Sequence, residues 1–376
     1  MAHLIKATWV LALVVLSSGI TEAADEAKQS TVKAAVPRAL YFPGTQSCGT
    51  LLLVPSESPM GDEASNRARS IAVARGKVEV LVPSGYLLEL FVNQRLLQNP
   101  KLFDEITPSG IDGLKIDTSS MSKEEDGRCD GALKHITHFP NLLFLDMEKS
   151  DVTDFGIISI KSLKKLKELS VSYSRVSGDC FKNLSPQIES VSAEGLLQLN
   201  KKQLGYLAAL ASLKKLQLRS CKLTDEELRI VGKFIKLERL DLSQNGKISN
   251  NGIKSLGALK DLNHLFLERT SVTDQALKDI SLHKKLTFLS LRSNKITDAA
   301  IPFLQQMSNL EGLDLRGTSI TMNGLAKLKG LQLQRVWLPN SSNPRSEFNE
   351  LQQWFPHTAF WFTTGGARPE DVRLIY

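Results

Sequence analysis

His135 and His138 stand three residues apart, with Cys129 and Asp130 shortly before them. Side chains of these types hold transition metals when they converge, and a spacing of three puts both imidazoles on one side of a helix. A metal site needs a complete ligand set, and none is visible around this pair. The four cysteines, Cys48, Cys129, Cys180 and Cys221, follow no zinc spacing. Gly365-Gly366-Ala367-Arg368 lacks the spacing and the Lys-Ser/Thr ending of a phosphate loop. Ser, Asp and His all occur, but no nucleophile elbow does. The residues therefore predict no catalytic group, no metal and no cofactor. What they carry is the chemistry of recognition, and it sits in a repeated phrase.

The phrase is clearest from Leu286 to Asn309, LTFLSLRSNKITDAAIPFLQQMSN. It opens on Leu-x-x-Leu-x-Leu, passes Asn294, reads Ile296-Thr297-Asp298 and ends in a short apolar helix pattern. Units of this kind start at Ile111, Leu142, Leu166, Ile188, Leu213, Leu237, Leu262, Leu286, Leu310 and Leu333. A recurrence near 24 residues replaces several globules by one solenoid. The first step is longer because Ser122 to Arg128, SKEEDGR, adds a polar excursion, and Gly246 is the extra residue of the unit at Leu237.

Each unit has a physical reading. The last two leucines of the opening alternate with outward residues, which is half a strand. Eight residues after the start the chain must turn, at Ser150, Ser174, Cys221, Asn245, Thr270, Asn294 and Thr318. A small hydrogen-bonding side chain there can satisfy backbone groups of the coil. The unit at Ile188 has Leu196 instead, which predicts an irregular turn. Val152-Thr153-Asp154, Leu223-Thr224-Asp225, Val272-Thr273-Asp274 and Ile296-Thr297-Asp298 then read as helix N-caps, followed by inward apolar residues such as Leu228, Val231 and Phe234. Stacking buries what one unit cannot, with parallel strands roughly 4.8 Å apart. Helices are wider than strands, so the stack curves and the strands line its concave side.

These motifs resemble the leucine-rich repeat family over roughly residues 111–362. The Val-Thr-Asp-x-x-Leu variant is similar to one common in bacterial secreted proteins and in F-box leucine-rich proteins. The resemblance implies an α/β solenoid, with a parallel sheet on the concave face and short helices on the convex face, that binds proteins on the concave side. The F-box version would imply a ubiquitin-ligase substrate adaptor, but the N-terminal region here reads as β-rich and shows no helical F-box segment.

Flanking the repeats (111–339) are four further stretches. Residues 1–23 have a basic start, an apolar run from Ala7 to Leu16 and a small-residue cleavage site, a signal peptide pattern. Residues 24–36 read as a flexible leader. Residues 37–110 form a β-rich N-terminal cap, in which Val78-x-Val80-x-Val82 and Tyr86 to Val92 are expected to pair as a hairpin or meander. Residues 340–376 are a C-terminal cap and tail, with a last strand in Thr358 to Phe362. Outside the cytoplasm, Cys48 and Cys129 are the candidate disulfide pair. The expected location is secreted, periplasmic or in the cell envelope, with no transmembrane span after cleavage. Net charge is +7. Acidic and basic residues alternate, which with export argues against a nucleic-acid partner.

Outward strand positions fall two, four and six residues after each start. Toward the N-terminus they include Asp117, Asp146, Glu148, Glu168 and Glu194. Toward the C-terminus they include Lys215, Arg219, Arg239, His264, Phe266, Phe288, Arg292, Arg316, Arg335 and Trp337, with Asp241, Glu268 and Asp314 among them. Aromatic and Arg side chains are the usual interface anchors. The expected contact surface is therefore Arg239, His264, Phe266, Phe288, Arg292, Arg316, Arg335 and Trp337. The expected partner is a protein, with a glycan or cell-envelope component as the alternative.

Overall fold

The computed structural model describes residues 35–44, 46–57, 60, 68–119, 128–339, 344–361 and 374–375. The signal peptide, most of the leader, the polar excursion at 122–127 and the glycine pair at 365–366 lie outside the described residues.

Each repeat contributes one three-residue strand. In chain order these are β6 (Gly113–Lys115), β7 (Phe144–Asp146), β8 (Glu168–Ser170), β9 (Ser190–Ser192), β10 (Lys215–Gln217), β11 (Arg239–Asp241), β12 (His264–Phe266), β13 (Phe288–Ser290), β14 (Gly312–Asp314) and β15 (Arg335–Trp337). Period-two alternation turns the central residue inward, so Leu216, Leu240, Leu265, Leu289 and Leu313 are fully enclosed. The parallel register places each of these leucines beside the next, so the core is a continuous column. No unit buries that column alone, which is why the units stack. The column continues into β16 (Ala359–Trp361), parallel to β15, and β17 (Leu374–Ile375) closes that edge antiparallel.

At the other end, β5 (Tyr86–Val92) runs parallel to β6, and β2 (Gly49–Pro55) lies between β5 and β3 (Arg69–Val73). The expected hairpin is not formed. The Val78-x-Val80-x-Val82 stretch, β4 (Gly76–Val82), pairs instead with β1 (Val36–Phe42) in a separate two-stranded ribbon. The ribbon turns Leu40, Phe42, Val80 and Val82 onto the end of the core. It thus covers a cross-section that would otherwise meet water. Arg38 ties it to the first repeat through Asp112 (2.7 Å) and the Gly110 carbonyl (2.7 Å).

The turning positions behave as their side chains require. Ser150, Ser174, Thr270 and Thr318 each donate to the carbonyl three residues back. Asn245 and Asn294 do more, because an amide both donates and accepts. Asn294 donates to Leu267 of the preceding unit (2.7 Å) and to Leu291 of its own (3.0 Å), while accepting from Thr270. One residue earlier the chain is left-handed in unit after unit, at Lys149, Tyr173, Ser220, Gln244, Arg269 and Ser293 and at Gly195 and Gly317.

Thr153, Thr224 and Thr297 cap their own helices, as expected from the sequence, and Thr321 does the same without having been expected to. Thr273 does not; the next helix begins without a side-chain cap. The neighbouring aspartates reach forward. Asp130 accepts from Thr153, Asp225 from Ser249, Asp274 from Thr297 and Asp298 from Thr321, each roughly one unit on. Asp154 accepts from Ser177 and Cys180. Burial opposes ionisation of Asp154, but hydrogen bonds from Cys180 and Ser177 outweigh it and hold the carboxyl down at about 2. Gly156, Gly252 and Gly324 make room for these carboxylates: a Cβ would stand 2.2 to 2.4 Å from an aspartate oxygen.

Gly205 is the opposite case. It lies within the helix Lys201–Ala208, and a Cβ there meets nothing within 4 Å. Gly205→Ala is therefore expected to raise stability by about 0.5–1 kcal/mol, read as a higher urea midpoint. An unchanged or lower midpoint would contradict it.

Candidate ligand-binding face

His135 and His138 do not converge. His135 Nδ1 pairs with Asp104 Oδ2 at 2.8 Å, whereas His138 Nε2 lies 3.0 Å from the Ile106 carbonyl. Cys129 and Asp130 are committed to the next unit, through Asp151 and Thr153. Among the described residues no group of three His, Cys, Asp or Glu is placed to hold a metal. The Cys48–Cys129 disulfide is also not formed, and all four cysteines are free, buried thiols. Their surroundings differ: Cys48 faces Arg95, and Cys129 faces Asp151. Burial pushes the Cys48 and Cys129 thiols up, and that of Cys221 up to about 12, so none has thiolate character.

The concave face has two halves. Toward the N-terminus, Lys115 pairs with Asp146 (2.8 Å) and Lys215 with Glu168 (3.6 Å). Burial, then repulsion from Asp146, pushes the Glu89 carboxyl up to about 7 against the attraction of Lys115. This half is also bridged: Lys215 Nζ donates to the Glu57 carbonyl at 3.5 Å, so the chain leaving β2 reaches across to β10.

Toward the C-terminus the rings form a ladder across five strands. His264 stacks on Phe288 (centroids 5.8 Å apart), Phe266 lies 4.9 Å from Phe288, and Phe288 meets Trp337 edge-on at 5.7 Å. Trp337 then stacks flat on Trp361 at 4.6 Å. Phe288 and Trp337 are two strands apart. They touch because Gly312 stands between them and Phe288 leans over it; a Cβ there would be 2.5 Å from the ring. Each aromatic pair contributes about 0.5–1.5 kcal/mol beyond burial, so the ladder is a firm surface. The rings stay half-buried because they cover one another.

The arginines divide into kinds. Arg292 lies 3.7 Å from Glu268, which also holds Arg219 at 3.2 Å. Arg316 grips Asp314 with two nitrogens, at 3.0 and 2.6 Å. These pairs neutralise two residues that the sequence marks as contact candidates. Arg239 lies 4.4 Å over the Phe266 ring. Arg335 has no ion pair or side-chain hydrogen bond among the described residues, and its Nε is enclosed without a partner. Burial and then the charges of Arg239 and Arg335 push the His264 imidazole down to about 4, so it is neutral at pH 7.

Trp361 is the ladder residue that the sequence reading misses. Its signal is register: Trp337 and Trp361 are paired positions of neighbouring strands, so the outward count runs one strand beyond the last full repeat.

Comparison with known proteins follows the same lines. The family model described as Leucine Rich repeat matches residues 235–257 and 283–301. An internalin C2 from Listeria monocytogenes is similar in structure at 23% identity, covering 66% of this chain and 93% of its own, with a TM-score of 0.41. A second internalin of that organism is 17% identical over 63% of this chain and 76% of its own, with a TM-score of 0.40. No curated protein matches the sequence. The matched segments share their strand, turn and helix with the units on either side, and the fold is a leucine-rich repeat solenoid.

Proposed function

We propose that this is an exported, non-enzymatic protein that captures another protein on the C-terminal half of its concave face. The observation that carries this is the ladder His264, Phe266, Phe288, Trp337 and Trp361 with Arg239 and Arg335 beside it. Contiguous aromatic surface edged by arginine is the composition of interface centres. The acidic half offers less room, since the chain leaving β2 crosses to Lys215 there. Export is supported by the N-terminal pattern alone; no helix of the described residues is long and apolar enough to cross a membrane.

The test is a crosslinked pull-down from native envelope with the full chain, beside the Phe266→Ser, Phe288→Ser, Trp337→Ser triple variant. The central strand leucines are untouched, so the variant is expected to fold, as circular dichroism would check. A protein captured by the parent and lost with the variant is the expected result. Equal capture by both would remove this site. Binding of envelope glycans with no captured protein would move the reading to a carbohydrate ligand.

A further inference from the structure

Resting on that reading, we infer that the partner presents an Asp or Glu carboxylate to Arg335, next to an aromatic side chain that packs on the edges of Phe288, Trp337 and Trp361.

The argument starts from the unpaired donor. Arg335 Nε is enclosed without an acceptor, a state that folded proteins rarely keep. The neighbouring arginines of this face are satisfied from within: Arg219 and Arg292 by Glu268, Arg316 by Asp314. Arg335 has no such choice. Its register neighbours are Gly312 and Ala359, which carry no acceptor in their side chains. Asp314, on the adjoining strand, is already held by Arg316. No acceptor among the described residues meets the guanidinium, and the half-buried side chain can take one from a partner.

Charge points the same way. The neutral His264 lies in the combined field of Arg239 and Arg335, so this corner attracts an anion. A guanidinium takes a carboxylate through two parallel N–H donors, which fixes direction as well as strength.

Ring geometry selects a peptide over a sugar. A pyranose needs an open aromatic face. Trp337 and Trp361 cover each other, with planes only 14° apart, and Phe288 meets Trp337 at 73°. The facing sides of this stack are closed to a sugar, and the edges beside them carry the positive end of the ring quadrupole. Edges favour another ring packed side-on and tolerate a nearby carboxylate.

The probe is the peptide acetyl-Gly-Asp-Phe-Asp-Gly-amide, titrated into the full chain by tryptophan fluorescence and NMR, against its Asn-Phe-Asn counterpart. The acidic peptide is expected to bind about tenfold or more tightly than the amide version. Arg335→Gln is expected to remove that difference, and Arg335→Lys to restore part of it. Equal binding of both peptides, no binding at millimolar concentration, or an unchanged preference in Arg335→Gln would overturn the carboxylate assignment. Preference for an oligogalacturonate control that depends on Arg335 would keep the carboxylate and overturn the peptide as its source. The broader reading fails separately. If the triple serine variant loses the captured protein while Arg335→Gln keeps it, the face stands and only the carboxylate falls. If the triple variant still captures it, the face itself is wrong.

Discussion

Asn245→Ala is expected to lower the stability of the folded chain by roughly 3–5 kcal/mol, measured by urea denaturation. Asn245 is fully buried. Its Nδ2 donates to the carbonyls of Leu218 (2.8 Å), Leu242 (2.8 Å) and Ser243 (3.2 Å). Its Oδ1 accepts from the Cys221 and Leu223 amides, both at 3.0 Å. Alanine would leave the Leu218 and Leu242 carbonyls and the Cys221 and Leu223 amides without this partner in a buried site, while the Ser243 carbonyl keeps the Ser220 amide, and each unsatisfied group costs about 1–3 kcal/mol. Partial relaxation keeps the total below the sum. Thr318→Ala at the equivalent turn gives up a single bond to Leu315, about 1 kcal/mol, and is the natural control. A loss near that of the control would mean that Asn245 does not bridge the two units.

Gly232→Ala comes next, with an expected loss of about 2–3 kcal/mol. Gly232 follows the helix Asp225–Val231 in an ordinary helical conformation, φ −61°. Propensity alone would make alanine the better residue there. Space decides otherwise. A Cβ would stand 2.0 Å from the Ser255 carbonyl oxygen, which is backbone of the following helix and has no rotamer to change. The two units would have to part. The measurement is again a urea midpoint, set against Gly205→Ala, where the same substitution meets empty space. Equal shifts in the two variants would sink the argument.

How much of this was readable beforehand depends on whether the cause lies within one unit. The leucine column and the turning residues recur at fixed offsets, so Leu240 and Asn245 could be assigned from the sequence. The left-handed position before each turn could not: only Gly195 and Gly317 advertise it, while Ser220, Gln244 and Ser293 adopt φ near 55–58° because the coil demands it. Asp225 reads as part of its own helix start, yet its acceptor role is toward Ser249, a unit away. The strand at Val78 to Val82 was legible, but its partner β1 lies far off in sequence, and alternation says nothing about pairing. At the binding face the outward residues were readable by counting. Which arginines are spent on internal acids was not, because Arg219 and Glu268 meet across an intervening strand.

The forward-reaching aspartates have a mechanical consequence. They rivet successive helices together, with Asn250 doing the same toward Thr273, but not between the unit at Ile188 and the unit at Leu213, where Lys201 pairs with Glu226 at 2.6 Å instead. There Thr224 turns its amide to Glu227 of its own helix (3.1 Å), and no carboxylate from the earlier unit replaces it among the described residues. On the turn side the same junction adds to its backbone bond from Gly195 to Arg219 the Cys221 thiol, a weak donor to Ala193, where Asn294 later uses an amide. This junction is also where the face changes from Glu194 to Lys215. At this junction the helix row is thus held by an exposed ion pair, which salt screens, in place of an aspartate hydrogen-bonded to the next helix start.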